Sequence, residues 1–236
     1  MKLRLSEIYC SVQGEGPRVG TPTIFVRLAG CNLRCPGWPC DTQHAIDPSK
    51  YRQEWLSFSA DDLVKLVRSH AHYDTIHNIC ITGGEPFLQP EEELRKLTYA
   101  LWCDGKSIEF FSNGTFVYPH WVFNPGVSVV MDWKLPGSGE AENIDYGAII
   151  TNVFKFSRYH GCAVKFTVAN RLDFDAALET CKVHLAVPGP IEIYCGPVWG
   201  KLEAKELVAW MLEVDVPWKL NLQTHKYIFD PEARGI

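Results

Sequence analysis

Short runs of β-branched and aromatic residues alternate along this chain with stretches of helical periodicity, and that alternation limits the fold more than any other feature. Residues 23–28, between Pro22 and Gly30, read as a strand. Ser59-Ala60-Asp61-Asp62 is a capping box opening a helix in which Leu63, Leu66 and Val67 recur at helical spacing. A second strand at 78–82 runs into Gly83-Gly84, and a helix follows from about Pro90, with Glu91, Glu92 and Glu93 in its first turn and Gly105 past its end. The same reading gives strands at 107–112, 127–132, 163–168, 191–195 and 219–224, and helices near 144–159, 173–183 and 202–214. Strands separated by helices pair in parallel through right-handed crossovers. About seven such strands predict an α/β fold, a partial TIM-like barrel with outer helices. An open doubly wound sheet would produce the same string, so closure stays open. With no repeat and no linker, residues 1–236 are expected to form a single domain.

Parallel α/β folds bind ligands at the carboxyl ends of their strands, and the chemically loaded residues fall there. A three-cysteine loop follows the first of these strands, Thr82-Gly83-Gly84-Glu85-Pro86 ends the second, Ser112-Asn113-Gly114 the third, Asp132-Trp133-Lys134 the fourth and Gln223 to Lys226 the last. A net charge of −5 argues against direct nucleic-acid binding. No stretch approaches the ~18 apolar residues that span a bilayer. The N-terminus lacks the apolar core of a secretion signal, and nine cysteines, an odd count, suit a reducing, cytoplasmic setting. Cys80 and Cys195 lie in apolar runs and read as inert thiols; Cys10 and Cys162 read as structural.

The cysteine loop runs Cys31-Asn32-Leu33-Arg34-Cys35-Pro36-Gly37-Trp38-Pro39-Cys40-Asp41-Thr42, a C-x3-C-x4-C spacing stiffened by two prolines. Soft thiolates select zinc, copper(I) or iron–sulfur clusters. His44 could complete a Cys3His zinc site. Alternatively, three thiolates could hold three irons of a [4Fe–4S] cluster and leave the fourth open. Spacing alone leaves both readings standing.

The neighbouring residues separate them by resemblance. The loop resembles the cluster loop of the radical S-adenosylmethionine (SAM) superfamily, and Thr82-Gly83-Gly84-Glu85-Pro86 resembles its GGE motif, in which the acid or a backbone carbonyl holds the SAM ammonium. A narrower resemblance, to the 7-carboxy-7-deazaguanine synthase (QueE) family, runs through most of the chain. It is carried by Cys10 to Gly16, Phe25 to Leu33, Cys40-Asp41-Thr42, Asp132 to Gly139 and Leu222 to Tyr227.

That resemblance implies conversion of 6-carboxy-5,6,7,8-tetrahydropterin to 7-carboxy-7-deazaguanine and ammonia in queuosine or related 7-deazapurine biosynthesis. A 5′-deoxyadenosyl radical would abstract hydrogen from C6, and ring contraction would follow. It places the [4Fe–4S] cluster on Cys31, Cys35 and Cys40, SAM on Pro39, Cys40, Asp41, Gly84, Asp132, Trp133 and Lys134, and Mg2+ on Thr42. The pterin would meet Val12, Gln13, Gly14, Glu15, Arg27, Thr82 and His225, with Arg27 facing the substrate carboxylate. A flavodoxin- or ferredoxin-type electron donor and a homodimer come with the family. Two departures stand out. The last cysteine interval is x4 where the superfamily has x2, and Phe111 replaces an acid, leaving that contact to another residue such as Glu15. The rival readings are another small radical SAM enzyme, such as a glycyl-radical-activating enzyme, and a non-enzymatic Cys3His zinc module.

Overall fold

The computed structural model describes residues 1–38, 40–186, 189–231 and 233–235. Its strands are β1 (Leu3–Val12), β2 (Pro22–Leu28), β3 (Leu56–Phe58), β4 (Asn78–Gly83), β5 (Ser107–Ser112), β6 (Val127–Trp133), β7 (Cys162–Val168), β8 (Glu192–Pro197) and β9 (Trp218–Leu220). The helices are α1 (Gln43–Ile46), α2 (Pro48–Tyr51), α3 (Ala60–Arg68), α4 (Glu91–Cys103), α5 (Tyr146–Phe156), α6 (Arg171–His184), α7 (Ala204–Leu212) and α8 (His225–Ile228). The strands form one sheet in the order β3-β1-β2-β4-β5-β6-β7-β8-β9. From β2 to β9 neighbours are parallel and follow chain order without reversing. A doubly wound sheet reverses its order at a switch point; this one curls in a single direction, as a partial barrel does. The ends of the curl meet through loops: Thr224 N–H donates to Gly14 O (3.1 Å) and Gly16 N–H to Asn221 Oδ1 (2.8 Å).

Local signals place the helices. Ser59 caps α3 by accepting from Asp62 N–H, and Gly105, at φ +80°, follows α4. The last strand is shorter than the expected 219–224 because only 218–220 pair with β8. Two strands escape the sequence reading. β3 has three residues, and β1 runs antiparallel to both β2 and β3. A bulge in β1 between Leu5 and Glu7 explains why its pattern hides: Leu3 and Leu5 face the core, whereas beyond the bulge Glu7, Tyr9 and Ser11 fall opposite Arg27, Phe25 and Thr23.

The pleat sorts the sheet into two faces. Ile24, Val26, Leu28, Ile79, Ile81, Ile108, Phe110, Val129, Met131, Val164 and Phe166 are fully buried in the main core, together with residues of α3 to α6. The opposite, inner face carries Glu7, Tyr9, Arg27, Cys80, Thr82, Glu109, Phe111, Asp132 and Lys165 in register. Polar side chains inside a sheet with an apolar outside mark where the molecule keeps its chemistry. No helix of the described residues is long and apolar enough to cross a membrane.

Candidate active site

The inner face lines an open-mouthed cavity. Its floor is built by an insertion rather than by the strands. Because β1 runs against β2, with Val12 opposite Pro22, the loop after β1 starts at the end away from the strand carboxyl termini, and it folds into the barrel. Gln13 Nε2 donates to Glu109 Oε2 (2.6 Å), and Arg18 reaches Asn78 and Ser128. Gly16, at φ +70°, packs against Val130 and Phe111. A Cβ on Gly14 would overlap the His225 ring, so glycine is what lets that imidazole lie against the floor.

Above the floor lies a ring of paired charges. Arg27 donates from Nε to Glu7 Oε1 (2.7 Å) and from Nη2 to Tyr9 Oη (2.6 Å), and His44 Nε2 meets the same Glu7 oxygen at 2.9 Å. Burial would raise the Glu7 carboxyl, but His44 and Arg27 outweigh it and hold the pKa at about 2. Tyr9 stacks on Phe25 with ring centroids 4.9 Å apart. On the opposite wall Lys165 Nζ lies 3.1 Å from Glu15 Oε2 and 3.7 Å from Asp132 Oδ2, and Lys134 Nζ lies 2.9 Å from the same Asp132 oxygen. Burial opposes the charge on Lys165, and Glu15 and Asp132 restore it, raising its pKa. Asp132 Oδ1 is buried with no hydrogen-bond partner among the described residues, an acceptor left for a ligand. Asp41, paired with Lys226 at 3.1 Å, and His225, whose pKa burial lowers, complete the lining.

Cys31, Cys35 and Cys40 are free, half-buried and line this cavity at the strand-end rim. Glu140 Oε1 pins their loop, accepting from Arg34 N–H (2.5 Å) and Cys35 N–H (2.9 Å), and Cys35 is held at φ +47°. Leu33 N–H and Asn113 Nδ2 donate to Cys31 Sγ at 3.4 and 3.8 Å, contacts of the kind that tune cluster sulfurs. Burial pushes the Cys35 thiol up to about 11. Among the described residues no three His, Cys, Asp or Glu side chains could hold a single metal ion, and His44 Nε2 is engaged by Glu7. Three soft thiols on one wall fit an iron–sulfur cluster with one uncommitted iron.

Most of the expected site residues meet in the cavity: Val12, Gln13, Gly14, Glu15, Arg27, Cys31, Cys35, Cys40, Asp41, Thr42, Thr82, Gly84, Asp132, Lys134 and His225. Pro39 lies outside the described residues. Trp133 does not line the cavity with its side chain: strand alternation sends that to the outer face, 3% exposed, beside Tyr146, Phe166 and His184. Glu85 is also turned away. Its carboxylate accepts from Phe87 N–H, Asn113 N–H and Ser112 Oγ, bracing the ends of β4 and β5. Of the two groups the GGE resemblance offers to an ammonium, the acid is thus occupied, and the glycine backbone lines the cavity. A Cβ on Gly84 would overlap Gly30 O, so the glycine sets β4 against the cysteine loop. Sequence reasoning missed Lys165, although a lone cation in Ala163-Val164-Lys165-Phe166 carried the same signal as Arg27. It also missed Glu7 and Tyr9, which had no strand to sit on.

Comparison with known proteins gives this geometry a family. Residues 12–114, which include all three loop cysteines, match the family model described as a 4Fe-4S single cluster domain. The 7-carboxy-7-deazaguanine synthase of Methanospirillum hungatei is 33% identical over 226 residues, covering 96% of this chain and 85% of that protein. That of Chlorobaculum tepidum is 33% identical over 247 residues, covering 99% and 97%. This chain belongs to the 7-carboxy-7-deazaguanine synthase family. The synthase fold is shared as well: a crystal structure of QueE from Escherichia coli superposes with a TM-score of 0.70 at 24% identity, covering 94% of this chain and 93% of that one.

Proposed function

We propose that this protein is a radical SAM enzyme that converts 6-carboxy-5,6,7,8-tetrahydropterin to 7-carboxy-7-deazaguanine and ammonia. The observation that carries the reading is the near-full-length identity to synthases, in a chain whose three free thiols and paired charges line one cavity. Cys31, Cys35 and Cys40 are assigned to the cluster. SAM is assigned to the adjoining wall: the Gly83-Gly84 backbone, Asp132 with its unpaired oxygen, Lys134, and Cys40-Asp41. Together the cluster and SAM supply one-electron chemistry that the protein's own side chains lack.

The protein binds, orients and excludes water. Arg27 has Nε and one proton of Nη2 committed to Glu7 and Tyr9, so Nη1 and the remaining Nη2 proton form the edge offered to the pterin carboxylate. Thr82, beside Arg27 in the β2–β4 register, and the Tyr9–Phe25 stack flank that edge. Gln13, Glu15 and His225 meet the substrate from the floor, Glu15 paired with Lys165. His225, with a pKa lowered by burial, presents a neutral imidazole near neutral pH. Thr42, whose Oγ1 lies 3.3 Å from Cys40 Sγ, is assigned to Mg2+ with substrate and water completing the shell. A single domain spanning 1–236, a homodimer, a flavodoxin- or ferredoxin-type donor and a cytoplasmic setting belong to the same reading.

The test is anaerobic incubation of iron-loaded protein with carboxytetrahydropterin, SAM and a reductant. Formation of carboxydeazaguanine is expected. Protein that carries iron and sulfide and cleaves SAM yet forms no such product would move the chain to another radical SAM activity.

A further inference from the structure

Glu109 lies beneath the site and none of the roles assigned above uses it. Its side chain sits on the inner face of β5, in register with Cys80 on β4 and Ser128 on β6, and it is completely buried. One carboxylate oxygen, Oε2, accepts from Gln13 Nε2 at 2.6 Å. The other, Oε1, has no hydrogen-bond partner among the described residues, and its nearest cation, Arg18 Nε, stands 3.8 Å away. A buried carboxylate with half its capacity unused is costly to keep in a barrel floor. Hydrophobic neighbours such as Val130, Ala163 and Phe111 show that an apolar floor was available.

What the acid achieves is visible in Gln13. That residue is 3% exposed, lines the cavity, and has its backbone fixed by Thr21 and Gly20. Only its carboxamide can turn, and an amide offers a donor on one side and an acceptor on the other. A carboxylate below accepts and never donates, so it draws Nε2 toward itself and leaves Oε1 on the other side, where it accepts from Glu15 N–H at 3.4 Å and keeps a second lone pair.

We propose that Glu109 is a positioning residue for the pterin site: through Gln13 it makes the floor present a hydrogen-bond acceptor, and so selects a substrate edge that donates, such as the amino and ring N–H groups of a pterin. The inference rests on the proposed function and adds a specificity determinant to it. Protonation of Glu109 would reverse the preference, since a carboxylic acid can donate to Gln13 Oε1 and release the amide. Burial places that event near neutrality, at a pKa of about 7. The groups facing Glu109 are Gln13, Glu15 and Arg18 from the inserted loop, Cys80 from β4, Ser128 from β6 and Tyr194 from β8.

The experiment is steady-state kinetics of anaerobic holoenzyme for wild type, Glu109→Gln, Gln13→Ala and the double variant, from about pH 6 to pH 8. One hydrogen bond predicts that Glu109→Gln raises the pterin KM up to about tenfold, with kcat and the SAM KM unchanged. In wild type the pterin KM should rise as pH falls, and Glu109→Gln should abolish that dependence. In the Gln13→Ala background the substitution should have no further effect on the pterin KM. An unchanged pterin KM with the wild-type pH profile in Glu109→Gln would overturn the inference, as would full additivity in the double variant. Wild-type enzyme that forms no carboxydeazaguanine would instead overturn the proposed function, and this inference with it.

Discussion

Arg27 Nε and Glu7 Oε1 stand 2.7 Å apart inside the barrel, and this pairing exists only because β1 carries a bulge. Without the extra residue Glu7 would continue the outward row of Leu3 and Leu5, and Arg27 would be a buried cation without its partner.

Glu7→Gln should therefore act on Arg27. Removing one charge from a largely buried pair costs about 1–3 kcal/mol of stability once partial exposure is allowed for, read by urea unfolding. The pterin KM should rise about tenfold while the SAM KM holds. Arg27→Ala should weaken pterin binding far more than SAM binding, and equal loss of both in binding isotherms would remove Arg27 from the substrate carboxylate.

Cys40→Ala should leave the far-ultraviolet circular dichroism spectrum unchanged, because Cys40 is half-buried in a loop outside the main core. Iron and acid-labile sulfide should fall below one cluster per chain and SAM cleavage should stop. Robust cleavage would mean that the third thiolate lies elsewhere. The wild-type protein should hold iron rather than zinc; metal analysis of anaerobically purified protein decides.

Gly14→Ala should displace His225, whose ring occupies the space a Cβ needs. A large loss of kcat/KM for the pterin with a small drop in Tm is the expected pattern. A variant with full activity would show that the His225 position is dispensable.

Stability should respond to pH through the buried acids. Burial raises the carboxyls of Glu85 and Glu109 from 4.5 to about 7, so between those values the folded chain holds protons that the unfolded chain has released. Their contribution is complete below about pH 4.5 and is lost as pH rises to 7, by an amount on the order of 3 kcal/mol per group. Glu7, lowered to about 2, acts in the opposite sense: its contribution is present above 4.5 and lost as pH falls toward 2. Denaturant midpoints of wild type and Glu109→Gln compared from pH 4.5 to 8 isolate one raised group. Their difference should change over that window and level off above it, and a constant difference would place the Glu109 carboxyl in its ordinary range.

The sequence by itself determined whatever is written in short-range pattern. β-Branched runs bounded by glycine, capped amphipathic helices and their alternation specify parallel crossovers, and three thiols in ten residues specify a soft-metal loop. A cation among Phe25, Val26 and Leu28 points to a polar interior or to solvent. Only the tertiary structure decided sidedness and closure, because these depend on which strand lies beside which. The β1 bulge turns Glu7 and Tyr9 inward, and the antiparallel course of β1 sends residues 13–18 up from the end opposite the rim. One step of the pleat separates Trp133, in the core, from Asp132 and Lys134, in the cavity. Glu85 is taken up in part by Asn113 N–H, nearly thirty residues away. A side chain's type is local, but its neighbours are set by register, and register is fixed only when the whole sheet buries its apolar face at once.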